Sequence, residues 1–169
     1  YVCGGQFYGD ADITAYMDTW FGSKGVEIVF ACGGGIYTSA AEAAVKTGGK
    51  IIGVDLDQSA TIDEYEDGLT VTSAMKGLQV TIDNVLSAIK GGTWDAYAGE
   101  MENLGLESAN PEENYVQLPE TTTQWDDNFT VDDYRDLVQR MYDGELTVSG
   151  DTTSFPETEI QATDYGSIK

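Results

Sequence analysis

The fold of this chain is decided by residues 49–59, which read Gly49-Lys50-Ile51-Ile52-Gly53-Val54-Asp55-Leu56-Asp57-Gln58-Ser59. The apolar run from Ile51 to Val54 ends abruptly in two carboxylates. A buried strand that stops at acidic side chains is how an open α/β sheet presents polar groups to a ligand at its carboxyl edge. The stretch therefore predicts one strand of such a sheet, with Asp55 at the edge where a ligand would bind.

The composition of the 169-residue chain limits the classes of function. Its formal net charge of -22 argues against binding to nucleic acid or to an anionic membrane surface, which need clustered Lys and Arg. The chain has no His, so serine-hydrolase triads and His-based zinc sites are excluded. Cys3 and Cys32 can form a disulfide, but the simpler expectation is two buried thiols at strand ends. No apolar run reaches the length of a membrane span.

Hydrophobic periodicity divides the chain into alternating strands and helices. Strands are expected at 1–3, 26–32, 50–54, 69–74 and, as a short extended piece, 115–119. Helices are expected after a cap at Asp10 or Asp12, over 40–46 after a cap at Thr38 or Ser39, over 78–89, and after a capping box formed by Thr130 and Asp133. The remaining segments are expected to be an acidic loop at 59–68, a hairpin or extended pair within 94–106, and a poorly packed polar tail from 149 onward.

This order of elements predicts an α/β fold with a mainly parallel sheet flanked by helices. Three strand ends would lie side by side at one edge, at 33–35, 55–57 and 73–76. Glycines at the first would expose backbone N–H groups, and Asp55 could accept hydrogen bonds from the vicinal hydroxyls of a ribose. Lys76 could donate to a ligand oxygen or pair with Asp55. The simpler interpretation is that Asp55 caps a turn and that Lys76 is a solvated surface charge.

Phe7 and Tyr8 follow the first predicted strand, on a glycine-rich loop. Bases and sugars stack on aromatic side chains in such positions. The alternative is that one of the two rings packs on the protein core.

Two other interpretations of the acidic strand end stay open. Gly33, Gly35 and Asp55 imitate the fingerprint of a dinucleotide-binding enzyme, but Thr38 stands at the third glycine position. The other interpretation is a calcium-stabilised module. Six oxygen-bearing side chains have the spacing of calcium ligands in an EF-hand loop, namely Asp55, Asp57, Ser59, Thr61, Asp63 and Glu66. Ala60 stands where that loop needs glycine, and the preceding segment is predicted to be a strand rather than a helix.

Three blocks of the sequence together resemble one family in order and spacing. They are VEIVFACGGG at 26–35, IIGVDLDQS at 51–59 and TSAMK at 72–76. The chain is similar here to the basic-membrane-protein family, the nucleoside-binding lipoproteins that serve ABC importers. The middle block is the most specific of the three. The likeness covers roughly residues 1–92 well and continues loosely through the helix near Tyr134.

The resemblance implies a type I periplasmic-binding-protein fold, of which this chain would be about the C-terminal half. Residues 1–76 would form an incomplete second-lobe core, 77–148 the crossover segments and the C-terminal helix, and 149–169 a polar tail. The partners would be a nucleoside, an ABC importer permease and the missing N-terminal lobe. The protein would be extracellular and lipid-anchored, with its signal and anchor outside this chain. It would not be an enzyme and would use no cofactor or metal.

The resemblance also assigns roles to individual residues. The aromatic that stacks on a purine maps to Tyr8 or Phe7, and the glycine after the apolar strand maps to Gly33 or Gly34. The ribose carboxylate maps to Asp55, and the family's lysine maps to Lys76. Asp57 is expected to shape the loop rather than to bind. The acidic segment 61–67 and Cys32 depart from the family pattern.

Overall fold

The computed structural model describes residues 1–155 and 157–169. Its strands are β1 (Ile28–Phe30), β2 (Lys50–Asp55), β3 (Thr70–Lys76) and β4 (Val116–Gln117). They form one sheet in the order β1-β2-β3-β4. β1 and β2 pair in parallel, with Val29 opposite Ile51, and β4 is antiparallel to β3. The predicted class is therefore confirmed: the protein is α/β, with a mostly parallel sheet flanked by helices.

The α-helices of the described residues are α1 (Ala11–Ser23), α2 (Tyr37–Ala44), α3 (Ser59–Ile62), α4 (Leu78–Gly91) and α5 (Val131–Tyr142). Short 3-10 helices lie at Trp94–Ala96 and Pro111–Glu113. Within 1–155 and 157–169, no helix combines the length and the apolarity that a bilayer crossing requires.

The chain divides into two compact units. The first consists of Tyr1–Ala74, Pro119–Gln124 and Thr152–Lys169, and the second of Met75–Leu118 and Trp125–Asp151. The boundary falls inside β3, so the last two residues of that strand belong to the second unit.

The core of the first unit is formed by α1, α2 and the two parallel strands. α1 contributes Ile13, Met17 and Phe21, which recur at helical spacing and are all buried. α2 contributes small side chains that let it pack closely on α1, namely Ala40, Ala41, Ala43 and Ala44. Val29 and Ile51, opposite each other in the sheet, are buried in the same cluster.

Gly49, at the start of the stretch that decides the fold, lies against α1. A Cβ atom at this position would overlap the buried ring of Phe21. Glycine therefore lets the chain enter β2 directly beneath α1.

Local capping chemistry was predicted correctly for two helices. The Asp10 carboxylate accepts the N–H groups of Asp12 and Ile13 and begins α1. Thr130 and Asp133 form the expected reciprocal capping box at the start of α5.

Prediction of α2 was less accurate. The helix spans 37–44 rather than 40–46, and its N-cap residue, Ile36, makes no side-chain capping bond. Thr38 and Ser39, the predicted caps, lie inside the helix. The Ser39 hydroxyl instead accepts the Asp10 N–H (2.9 Å). This bond joins α2 to the start of α1.

Two strands are shorter than predicted. β1 ends at Phe30 rather than near 32 because the N–H groups of Cys32 and Gly33 bond the carbonyls two residues before them, which turns the chain away from β2. At 1–3 the only sheet-like pairing in the described residues is a bridge between Cys3 and Ser167.

Two loop predictions were also wrong. The segment 59–68 contains α3, whose Ile62 is fully buried. The segment 94–106 forms no hairpin or paired strands; it holds one 3-10 turn, at Trp94–Ala96.

Residues 149–155 and 157–167 are exposed, as expected for a poorly packed tail, but the end of the tail makes contacts that were not expected. Tyr165 and Ile168 donate backbone hydrogen bonds to the carbonyls of Tyr1 and Cys3 (3.0 and 2.9 Å). Lys169 forms an ion pair with Asp10. These contacts with distant residues fix the segment 163–169, and its low hydropathy alone gave no sign of them.

Cys3 and Cys32 are both free thiols rather than a disulfide, in agreement with the simpler of the two expectations. Both are exposed rather than buried. The burial prediction was wrong for two reasons. The chain turns away from the sheet immediately before Cys32. Cys3 forms a bridge with Ser167 rather than with a strand of the sheet.

In the second unit, α4 has an exposed apolar stripe. Its members are half-exposed and recur at helical spacing: Leu78 (46%), Ile82 (57%), Leu86 (57%) and Ile89 (53%). Only Ala88 of this helix is buried. The helix predicted over 78–89 is therefore present as α4.

Candidate functional site

The three predicted strand ends are joined in the first unit by one residue, Gln58. Its Oε1 accepts the N–H of Val54, at the end of β2 (2.9 Å). Its Nε2 donates to the carbonyl of Gly34, in the loop after β1 (3.1 Å). Its backbone N–H donates to the buried hydroxyl of Ser73 on β3 (3.1 Å). The predicted juxtaposition of the strand ends is therefore present, held by a residue to which no role was assigned.

Gly53 makes this junction possible. A Cβ at Gly53 would lie 2.6 Å from the Ser73 hydroxyl and 3.0 Å from the Gln58 side chain. Only a residue without a Cβ lets both side chains reach the end of β2. The glycine inside the apolar run of β2 is thus part of the geometry of the site.

Asp55 ends β2 in a left-handed backbone conformation, with φ of 70°. It is the one non-glycine residue with positive φ among residues 1–155 and 157–169. Such conformations are uncommon outside glycine, Asn and Asp, and they cluster at functional sites. Asp55 is partly buried, and the exposed Leu56 follows it. The left-handed turn takes the chain away from the sheet directly after Asp55.

Asp57 shapes the loop, as predicted. Its carboxylate accepts the Ser59 N–H (3.0 Å) and the Thr122 hydroxyl (2.8 Å). Desolvation alone would raise the pKa of Asp57, but these hydrogen bonds outweigh it and the net pKa is lowered. The carboxylate therefore starts α3 and ties it to 119–124, and its oxygens already have partners within the protein.

Phe7 and Tyr8 lie beside the glycine loop. The Phe7 carbonyl accepts the Gly35 N–H (2.8 Å), and Tyr8 forms a parallel bridge with Gly35. The two rings are 76% and 64% exposed, so neither packs on the core. The rings of Phe7 and Tyr8 are therefore both accessible for stacking against a planar ligand.

Gly33 and Gly34 are shaped by the approach of Phe7. Gly34 has φ of 51°, and a Cβ there would lie 3.3 Å from the Phe7 carbonyl oxygen. A Cβ at Gly33 would contact the Phe7 ring at 3.4 Å. The predicted aromatic and glycine residues are thus brought together, and Gln58 connects them to the end of β2.

Lys76 is the last residue of β3 and is exposed. It belongs to the second unit, whereas the other five predicted residues belong to the first. Its pairing with Asp55 stays a prediction.

The first unit also contains a cavity of about 550 Å³. It lies along β1 between residues 1–7 and the side chains of Met17 and Trp20 on α1. Phe7 is the one predicted ligand-binding residue in its lining. The other predicted ligand-binding residues do not line this cavity.

The geometry gives the calcium alternative no support. No group of three or more Cys, Asp or Glu side chains in the described ranges 1–155 and 157–169 could hold a metal ion. Residues 59–62 are helical, and the Asp63 carboxylate bonds the N–H and hydroxyl of Thr70 (2.8 and 2.7 Å). The six residues with EF-hand spacing therefore do not form an EF-hand loop.

Sequence reasoning missed Gln58 and the buried hydroxyl of Ser73. A signal for Gln58 was present, because the residue belongs to the most specific of the three family-like blocks. Its role depends on two side-chain bonds and one backbone bond to three separate segments, and hydrophobic periodicity carries no information about such bonds.

No protein-family model matches the chain, and a search of curated proteins finds no match.

Proposed function

We propose that this chain is part of an extracellular solute-binding protein that captures a nucleoside, with a purine nucleoside as first choice, for an ABC importer. The observation that carries the proposal is the cluster of exposed aromatics, close-approach glycines and a left-handed Asp55 at the carboxyl edge of the parallel strands. Ligands of open α/β sheets bind at this edge.

Each part of the cluster suits one part of a nucleoside. The exposed ring of Phe7 or Tyr8 offers a face on which a purine stacks, and stacking of this kind contributes about 1–3 kcal/mol per base. The Asp55 carboxylate can accept two hydrogen bonds from ribose hydroxyls. Gly33 and Gly34 allow Phe7 to lie close against the loop after β1, which places its ring beside this edge.

The exposure of Phe7 and Tyr8 also suits a protein that binds by closing around its ligand. A cleft between two lobes encloses a solute only when both walls are present, and the closed form then has the higher affinity. The second wall would be the N-terminal lobe that the resemblance implies. The importer permease, the lipid anchor and the extracellular location belong to the same proposal, as does the absence of catalysis.

Titration calorimetry of the full-length protein tests the proposal. We expect heat on addition of inosine, guanosine or adenosine and none with free ribose, because ribose lacks the stacking base. Asp55→Asn is the informative variant, since Asn tolerates positive φ as Asp does but lacks the negative charge. It should weaken nucleoside binding about tenfold, as a hydrogen bond to a charged group contributes about 1.5–3 kcal/mol. Asp57→Asn is the matched control and should bind within about twofold of the wild type.

The second candidate is an enzyme with a nucleotide cofactor. One observation favours it: the glycine loop after β1 leads directly into α2, as in dinucleotide-binding folds. Heat with NAD and none with any nucleoside would favour the enzyme and exclude nucleoside capture. Unchanged nucleoside affinity in Asp55→Asn would remove the role assigned to this carboxylate.

A further inference from the structure

The segment before α5 contains an acceptor sequence for N-linked glycosylation. Residues 126–130 read Asp126-Asp127-Asn128-Phe129-Thr130. Asn128 alone among the five asparagines of the chain is followed two residues later by Ser or Thr, with a residue other than proline between. We propose that Asn128 carries an N-linked glycan. The inference rests on the extracellular location that forms part of the proposed function.

The local structure presents Asn128 at the surface of the second unit. Asn128 is exposed, and its backbone N–H donates to the Asp126 carboxylate (2.7 Å), as does that of Phe129 (3.1 Å). The Asn128 side-chain nitrogen Nδ2 donates to the other Asp126 oxygen (3.3 Å). Asp126 and Asp127 are also exposed, and Phe129 is 43% exposed. A glycan at this position projects into solvent without displacing any buried group.

The transfer reaction leaves this loop intact. Nδ2 forms a bond to the anomeric carbon of a lipid-linked glycosyl phosphate, the glycosyl donor. The bond between that carbon and the phosphate oxygen breaks, and the oxygen keeps the electron pair. Nδ2 has two protons and releases one. The backbone N–H groups of Asn128 and Phe129, which hold the loop on the Asp126 carboxylate, take no part in the reaction.

Thr130 determines when the transfer can occur. The sequence rule requires its hydroxyl, but in the folded protein that hydroxyl accepts the Asp133 N–H (3.2 Å) and donates to the Asp133 carboxylate (2.7 Å). The same group cannot serve the glycosyltransferase while it holds the capping box. Attachment is therefore expected on the unfolded chain, before α5 forms.

Mass spectrometry tests the site. The full chain is fused to a secretion signal and expressed in a host that performs N-glycosylation. Trypsin releases the peptide 91–135, which contains Asn128 and has no internal Lys or Arg. We expect this peptide to carry a glycan at Asn128. Secreted protein with an unmodified peptide, or with the glycan on another asparagine, would overturn the proposal.

Substitutions at Thr130 separate recognition from folding. Thr130→Ser keeps both the hydroxyl and the cap and should keep the glycan. Thr130→Asn keeps a capping side chain but removes the hydroxyl, so it should fold and lose the glycan. A glycan retained at Asn128 in Thr130→Asn contradicts the proposal.

The timing has its own assay. A purified oligosaccharyltransferase should modify the isolated peptide 91–135 about fivefold or more faster than the folded, unmodified protein, since the cap must open first. Equal rates would refute attachment before folding.

Failure of the glycan proposal is distinguishable from failure of the function. Protein that binds a nucleoside but is unmodified at Asn128 after secretion overturns the glycan alone. Protein that is modified but gives no heat with any nucleoside overturns the function alone.

Discussion

Removal of the Gln58 side chain should loosen the edge on which the proposed site is built. In Gln58→Ala the Val54 N–H loses its acceptor, and Val54 is only 8% exposed. A buried donor left without a partner costs about 1–3 kcal/mol. The bond to the partly buried Gly34 carbonyl is lost as well and contributes about 0.5–1.5 kcal/mol. The free energy of unfolding of the first unit should therefore fall by about 2–4 kcal/mol, a large part of the roughly 5–15 kcal/mol of an ordinary domain.

The assay is amide hydrogen exchange at Ile51 during a urea titration. The Ile51 N–H bonds the Leu69 carbonyl within the sheet (3.0 Å), so its exchange reports opening of the sheet rather than the local loss of Gln58. Gln58→Met separates hydrogen bonding from packing, because it keeps most of the volume and neither bond. Gln161→Ala, in an exposed part of the tail, is the control and should stay within about 0.5 kcal/mol of the wild type. A Gln58→Ala protein as stable as that control would refute the reasoning.

Two further predictions concern other parts of the first unit. Gly49→Ala should destabilise the first unit by about 1–3 kcal/mol in thermal unfolding, because the new methyl group overlaps the Phe21 ring. Gly22→Ala is the control: Gly22 lies in α1 with open space around it, so the substitution should stabilise the unit by up to about 1 kcal/mol. Equal shifts in stability for the two variants would contradict the close contact between Gly49 and Phe21. The Lys169 ammonium, and after it the Ile13 N–H, lower the pKa of Asp10 to about 2, below its ordinary 3.8. The stability that this carboxylate contributes is therefore fully present above about pH 4 and is lost as the pH falls through about 2. Asp10→Asn should flatten urea midpoints between pH 4 and 2, and a profile as steep as that of the wild type would exclude this pair as the cause.

The sequence was sufficient to predict the architecture because its signals there are local. Apolar runs mark β2 and β3, and the Asp10 and Thr130 caps mark where α1 and α5 begin. Each of these features depends on residues within a few positions of one another. The same is true of the apolar stripe on α4, which follows from helical spacing alone.

For the candidate site, the sequence indicated which residues of the first unit lie near one another but not the bonds that connect them. The aromatics, the glycines and Asp55 were found because their residue types stand at strand ends. Gln58 was missed because its bonds reach Gly34, 24 positions away, and Ser73, 15 positions away. The exposure of Cys3 and Cys32 was missed for a related reason, since it depends on where the chain leaves the sheet.

The pairing of residues 1–3 with 163–169 has a consequence for the order of folding. The N–H groups of Tyr165 and Ile168 bond the carbonyls of Tyr1 and Cys3, which lie far away in the sequence (3.0 and 2.9 Å). Closing a flexible loop of about 160 residues from the unfolded chain would cost about 4–5 kcal/mol of chain entropy, which offsets most of what the backbone hydrogen bonds of this contact return at about 0.5–1.5 kcal/mol each. The contact therefore adds little net stability until the intervening chain has collapsed and brought these segments together. The last seven residues should therefore be the final segment to join the native state and the first to leave it.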